Sequence, residues 1–266
     1  MIPKPNSIFI ASDFHLGVPN AEASRLREKK IVAWLERIAP FAESILLLGD
    51  IFDFWFEYRH VVPKNYVRLL GTLARLRDSG IDVQIFSGNH DLWLRDYFPQ
   101  ELGVPVFHTP QQYTWFSRKY LVAHGDGLGP GDTGFKLMKK GFQNPLLQFL
   151  FRSLIHPDWG IGIANYFSQK SRKAHQIADS IDYGEKEMLY QYVQKKIQET
   201  YPIDCFVFGH RHFPKIVRFS EKYSMVILGD WINHFSYLQI TNESRILFKY
   251  EAGSSDIVLS KDPANS

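Results

Sequence analysis

Five short runs of apolar, strand-forming residues in this chain each end at side chains able to hold a cation or a proton. SIFIA (7–11) runs into Ser12-Asp13-Phe14-His15, ILLL (45–48) into Gly49-Asp50, and VQIF (83–86) into Ser87-Gly88-Asn89-His90-Asp91. YLVA (120–123) runs into His124-Gly125-Asp126, and CFVF (205–208) into Gly209-His210-Arg211-His212. Apolar runs this short, bounded by turn signals, read as strands buried on both faces. In open α/β sheets the carboxyl ends of the strands meet in one crevice, which brings together side chains distant in sequence. Glycine beside the polar groups suits tight turns where backbone or ligand must come close.

The segments between these runs read as helices. Residues 21–38 carry Leu26, Ile31, Trp34, Leu35 and Ile38 near helical spacing, and 64–78 follow Pro63 and end at Ser79-Gly80. Near the end of the chain, IVRF, MVIL, SYLQI and RILFKY follow one another with no room for crossover helices, so they are expected to be antiparallel. The order βαβαβ, then helices, then strands predicts an α/β sandwich of two mixed sheets flanked by helices.

Residues 132–180 interrupt this rhythm. FKLMKKGF, PLLQFLFRSLI and GIANYFSQKSRKAHQIADSI read as three short helices punctuated by Pro145, Pro157 and Gly160. They are expected to form a helical lid inserted into a domain made of 1–131 and 181–266. Within 133–175 stand seven Lys or Arg and one acid, Asp158, interleaved with Phe135, Phe142, Phe149, Phe151, Trp159, Tyr166 and Phe167. The whole chain carries only +3, so the rest of it is net acidic. Such a segment points to an anionic partner with an apolar or stacking part.

Composition removes several classes. With 45% hydrophobic and 22% charged residues the chain is globular. The single cysteine, Cys205, excludes an internal disulfide and a Cys-rich zinc site, and its place in CFVF marks it as a small buried hydrophobe. No apolar stretch is long enough to span a bilayer, and the amino terminus carries no signal-like apolar region, so a cytoplasmic location is expected.

Eight groups are expected to converge at the strand ends: Asp13, His15, Asp50, Asn89, His90, His124, His210 and His212. One cation cannot use so many. Carboxylate, amide and imidazole without thiolate suit manganese, iron or zinc. In two-metal sites the ions sit ~3.5–4 Å apart, which calls for a bridging carboxylate. Such sites activate water and clamp a transferring phosphoryl group. His60, His108, His156 and His234 lack the strand-end context and read as structural.

Taken together, Asp13-Phe14-His15, Gly49-Asp50, Gly88-Asn89-His90-Asp91, His124 and Gly209-His210-Arg211-His212 resemble the motif set of the calcineurin-like metallophosphoesterases. The resemblance spans most of residues 7–240. It implies a hydrolase with two divalent metal ions, manganese foremost. One metal would take Asp13, His15, Asp50 and His212, and the other Asp50, Asn89, His124 and His210. Asp50 would bridge them, and His90 would act as acid or charge stabiliser. The family's two packed sheets agree with the architecture read from the strand pattern.

Within that family, GDIFDFW (49–55), His124-Gly125-Asp126-Gly127-Leu128 followed by Asp132, and Leu228-Gly229-Asp230-Trp231 are similar to a subfamily of lipid A biosynthesis pyrophosphatases. That likeness implies attack at the α-phosphorus of a UDP-linked diacyl sugar, giving UMP and a sugar 1-phosphate. It also implies substrate contacts from Asn89, His90, Asp132 and Ser168. Arg172 and His175 fall near the positions where the subfamily carries Asn and Lys and are expected to contact substrate there, and His90 falls where its best-known members carry Arg. A lipid-nucleotide substrate held at the inner-membrane surface by a peripheral contact is then expected, and no nucleic acid partner. The alternative is another metallophosphoesterase acting on nucleotides or nucleic acid. It would share the metal site and stack bases on the basic, aromatic segment.

Overall fold

The computed structural model describes residues 6–131, 133–160, 162 and 181–263. Asp132, Ser168, Arg172 and His175 lie outside the described residues.

Two mixed sheets form the body, as the strand pattern predicts. The first has the order β12-β11-β10-β1-β2-β3-β4. Its parallel half is β1 (Ser7–Ala11), β2 (Ala42–Leu48), β3 (Asp82–Phe86) and β4 (Val106–Phe107). Its antiparallel half is β10 (Ser236–Ile240), β11 (Ser244–Lys249) and β12 (Ile257–Pro263), joined to the parallel half where β10 pairs with β1. The second sheet has the order β5-β6-β7-β9-β8. In it β6 (Arg118–Ala123), β7 (Cys205–Phe208) and β9 (Ser224–Leu228) are parallel, while β5 (Gln111–Trp115) and β8 (Pro214–Arg218) are antiparallel edges.

Side-chain alternation builds the layers. Ile8, Ile10, Leu46 and Leu48 of the first sheet meet Tyr120, Val122, Val207 and Val226 of the second in one buried cluster. The opposite face of the first sheet, with Phe9, Ala11, Ile45 and Leu47, is covered by Ile31, Trp34 and Leu35 of α1 (Ala21–Ile38) and Leu69, Leu73 and Leu76 of α2 (Val67–Asp78). The outer face of the second sheet packs Leu121, Phe206, Phe208 and Ile227 against Leu189 and Val193 of a helix at Met188–Gln198. Central strands are thus apolar on both faces, the reason they read as unbroken runs. Cys205 is fully buried in β7.

Three local expectations change. Leu26 faces solvent, because the buried stripe of α1 runs through Ser24, Arg27, Glu28 and Ile31. The second helix begins at Val67 rather than near 64. The Glu28 carboxylate accepts from the amides of Arg68 and Leu69 and caps that end from another helix. Of the four late runs read from the sequence, antiparallel pairing joins only β8 to β9 and β10 to β11. Between them the chain changes sheet, and β9 runs parallel to β7.

In the 132–180 region, the described residues include α4 (Thr133–Phe142) and α5 (Pro145–Leu154), and residues 157–160 are helical again. Asn144 caps α5 by accepting from Leu146 N and Leu147 N. Several side chains fasten these helices to the body. Phe151 packs edge-on against Phe56 and Trp93, the Trp93 indole donates to the Phe142 carbonyl, and Lys139 pairs with Asp126 at 2.6 Å. Leu137, Leu146, Leu147, Phe149, Leu154 and Trp159 remain exposed. A short helix, α3 (Tyr97–Glu101), lies between β3 and β4.

Candidate metal centre

The five predicted loops converge. Asp13 and His15 follow β1, Asp50 follows β2, Asn89 and His90 follow β3, His124 follows β6, and His210 and His212 follow β7. The sandwich brings the ends of both sheets to one place.

Backbone bonds between the loops set this arrangement. Asp13 N donates to Gly49 O and His15 N to Asp50 O, while Trp231 N donates to Asp13 O. Arg27, buried in α1, gives its guanidinium to the carbonyls of Phe14, His15 and Val18 and so anchors the loop bearing His15. Asp13, His15, Asp50 and His210 all adopt left-handed backbone, with φ of 57°, 44°, 51° and 64°. For residues other than glycine this costs about 1–3 kcal/mol each and persists only where surrounding bonds enforce it. Here they do: His210 N donates to Asp13 Oδ2, and His90 N to Asp50 Oδ1.

The motif glycines are required by crowding. A Cβ on Gly88 would lie 2.1 Å from Asp50 Oδ1, and one on Gly209 would lie 2.7 Å from Asp13 Oδ2.

The donors fall into two overlapping groups. In the first, His15 Nε2 and His212 Nε2 face each other at 3.3 Å, with Asp13 Oδ1 at 3.7 and 3.5 Å from them. In the second, Asn89 Oδ1 lies 3.2 Å from His124 Nε2 and 3.0 Å from His210 Nδ1. Asp50 Oδ2 stands between the groups, 3.7 Å from His15 Nε2 and 3.5 Å from His124 Nε2.

The residues fit divalent cations. His124 Nδ1 donates to the Leu48 carbonyl at 2.6 Å, which turns the other ring nitrogen toward Asn89 Oδ1 and Asp50 Oδ2. Without a positive charge between them, these atoms are all acceptors. Burial disfavours a charged His124, yet the Asp50 carboxylate pushes its pKa up to about 10. Asp13 is held below the usual carboxylate range: burial works against this, but the nearby imidazoles of His15 and His212 prevail. Asp13 Oδ1 is buried and has no hydrogen-bond donor among the described residues. Carboxylate, amide and imidazole oriented onto shared points are the donor set that hard to borderline divalent ions take.

Several supporting carboxylates have no role assigned to them by the sequence reading. Asp53 Oδ1 is 3.8 Å from His15 Nδ1 and 3.5 Å from His90 Nδ1, and Asp230 Oδ2 is 3.7 Å from His212 Nδ1. Both place a negative charge behind the far nitrogen of a ring at the site, at distances longer than a hydrogen bond. Asp91 accepts from the amides of Gly88, Asp50, Ile51 and Phe52 and ties two site loops together. Glu57, nearly buried, gathers the amides of Arg95, Asp96 and Tyr97. The signal was present for Asp53, Asp91 and Asp230, which stand inside GDIFDFW, GNHD and LGDW. His234, read as structural, rests on Asp230, and His108 on Ser87 Oγ at 2.9 Å.

A buried oxygen-and-nitrogen donor set at the carboxyl ends of strands from two packed sheets defines a metal-dependent hydrolase centre. The family model described as calcineurin-like phosphoesterase matches residues 7–214, and the chain belongs to that family. It is 36% identical over 244 residues to the UDP-2,3-diacylglucosamine hydrolase of Porphyromonas gingivalis, covering 87% of this chain and 93% of that protein. It is 27% identical over 238 residues to the protein of the same name from Histophilus somni (strain 2336), covering 88% and 95%. Among solved structures, a dimetal phosphatase from Danio rerio aligns over 96% of this chain and 99% of its own, at 11% identity and a TM-score of 0.47.

Proposed function

We propose that this chain hydrolyses the diphosphate of UDP-2,3-diacylglucosamine at the α-phosphorus, giving UMP and 2,3-diacylglucosamine 1-phosphate in lipid A biosynthesis. One observation carries the reading: clustered carboxylate and imidazole donors, Asp13-His15-His212 and Asp13-Asp50-His124 among them, in a chain similar over most of its length to hydrolases named for that substrate.

Asp13, His15, Asp50 and His212 would hold one divalent ion, and Asp50, Asn89, His124 and His210 the other, with manganese favoured. Asp50 is the shared ligand, supported by its place between His15 and His124. When bound, the ions supply a water of lowered pKa and neutralise phosphoryl charge. Asp53 and Asp230 orient the rings of His15 and His212. His90 binds the α-phosphate. Its Nδ1 faces the Asp53 carbonyl and carboxylate at 3.3 and 3.5 Å. Burial pushes the pKa of His90 down to about 4, opposed by Asp50. A phosphate anion against the ring adds to that opposition and favours the donating form. The leaving group is itself a phosphate and needs little protonation, so His90 acts as a donor to charge rather than as an obligatory acid.

The 132–180 insertion serves as a lid that holds the acyl chains. The exposed Leu146, Leu147 and Phe149, on the helix that follows the one bearing Lys136, Lys139 and Lys140, support that role. They also support peripheral contact with the cytoplasmic face of the inner membrane, where such a substrate resides. No helix among the described residues is long and apolar enough to cross a membrane.

The test is product analysis with manganese-loaded protein. UMP released from UDP-2,3-diacylglucosamine, with no cleavage of single-stranded DNA or RNA, is expected. Nucleic-acid cleavage without action on the UDP-lipid would replace this reading with a nuclease.

A further inference from the structure

Arg211 stands between His210 and His212, and it is buried where both of those residues are only partly so. Its Nε lies 3.2 Å from Glu187 Oε1, and its Nη2 donates to the carbonyl of Ile181 at 2.8 Å. The rings of Tyr183 and Phe213 lie against the guanidinium, with centroids 5.6 and 5.5 Å from it. Beyond it, Lys215 pairs with Asp182. Residues 181–187 are the stretch by which the chain returns from the 132–180 insertion and enters the helix at Met188–Gln198. Glu187, also buried, is the residue preceding that helix.

A planar guanidinium with donors on several edges can bind a carboxylate and a carbonyl at once in a fixed geometry, which an ammonium cannot. One side chain from the loop bearing His210 and His212 therefore clasps the returning segment at two points.

We infer that Arg211 is a positioning residue that makes the 181–187 segment and the His210–His212 pair one mechanical unit, so that cation binding and seating of the returning segment stabilise each other. This rests on the reading of His210 and His212 as cation ligands. Such coupling is reciprocal: whatever the segment gives to cation affinity, the cation returns as stability of the segment.

Tyr183 is exposed and supplies a chymotryptic site within the segment. The experiment measures cleavage after Tyr183 with and without Mn²⁺, alongside Mn²⁺ affinity by equilibrium dialysis. In the unaltered protein Mn²⁺ is expected to slow this cleavage at least about fivefold, the lower end of typical coupling. Removing the arginine charge would strand Glu187 in the interior and endanger folding. The informative variant is therefore Arg211→Lys, which keeps the charge and loses the fork. It should melt cooperatively, lose most of the Mn²⁺-dependent protection, and bind Mn²⁺ about tenfold more weakly. Wild-type protection and affinity in Arg211→Lys would overturn the coupling, as would the absence of any Mn²⁺ effect on Tyr183 in the unaltered protein. His212→Ala separates the two levels. If it loses Mn²⁺ and protection while Arg211→Lys keeps both, only the coupling falls. If His212→Ala itself keeps both, the ligand assignment falls and takes the coupling with it.

Discussion

His15 Nε2 and His212 Nε2 face one another across 3.3 Å, although 197 residues separate them and they follow strands of different sheets. Two imidazole nitrogens this close need a cation or a proton between them, and Asp13 Oδ1 beside both supplies the negative charge. A cation held here would tie one sheet to the other. Chelation should therefore lower the melting temperature, and added Mn²⁺ should restore it in a concentration-dependent way. Ligand at a hundred times its dissociation constant contributes about 2.7 kcal/mol. Calorimetry in EDTA and in graded Mn²⁺ checks this. A melting temperature indifferent to both would mean that no resident ion joins the sheets.

Asp50 shows whether the two donor groups share a ligand. Asp50→Asn keeps the shape and removes the charge that both groups use. Turnover should vanish, and metal analysis should find both ions weakened rather than one. Two tightly held ions with near-normal activity would contradict the bridging role.

His90 is expected to tolerate a different cationic donor. His90→Arg should keep more activity on the UDP-lipid than His90→Ala, since removing a charge-stabilising donor costs ~10²–10³ in rate. Equal losses in the two variants would instead indicate proton transfer by the imidazole.

On α5, neighbouring phenylalanines should behave differently. Phe149 is about half exposed, whereas Phe151 packs on Phe56 and Trp93. Phe149→Ser should raise KM for the diacylated substrate more than tenfold, since each buried methylene contributes ~0.8 kcal/mol. It should spare hydrolysis of a small chromogenic phosphodiester and leave the melting temperature close to normal. Phe151→Ala should loosen the insertion and lower the melting temperature. Parallel loss of both activities in Phe149→Ser would place that ring in a packing role instead.

The site was legible because its donors sit where buried parallel strands stop, and those strands are apolar on both faces. The half-exposed edge β5, QQYTW, alternates too weakly to stand out, and β12 mixes Ser260, Lys261 and Asp262 into its run. Asp262 is buried there against Arg245, a pairing that no local pattern foretells. The switch between sheets after β9 was equally hidden. A short connection favours a hairpin, but Leu228 is needed in the layer between the sheets and Tyr237 in the layer under the helices. Asp53, Asp91 and Asp230 were overlooked because their work is to orient other side chains and bind backbone amides, roles that become visible only once the loops are placed together.

The most direct measurement is hydrolysis of UDP-2,3-diacylglucosamine by manganese-loaded protein in ¹⁸O-labelled water, with mass analysis of both products. Attack at the α-phosphorus predicts one ¹⁸O in UMP and none in 2,3-diacylglucosamine 1-phosphate. Label in the lipid phosphate would move the attack to the other phosphorus, and an uncleaved substrate would contradict the account at its root.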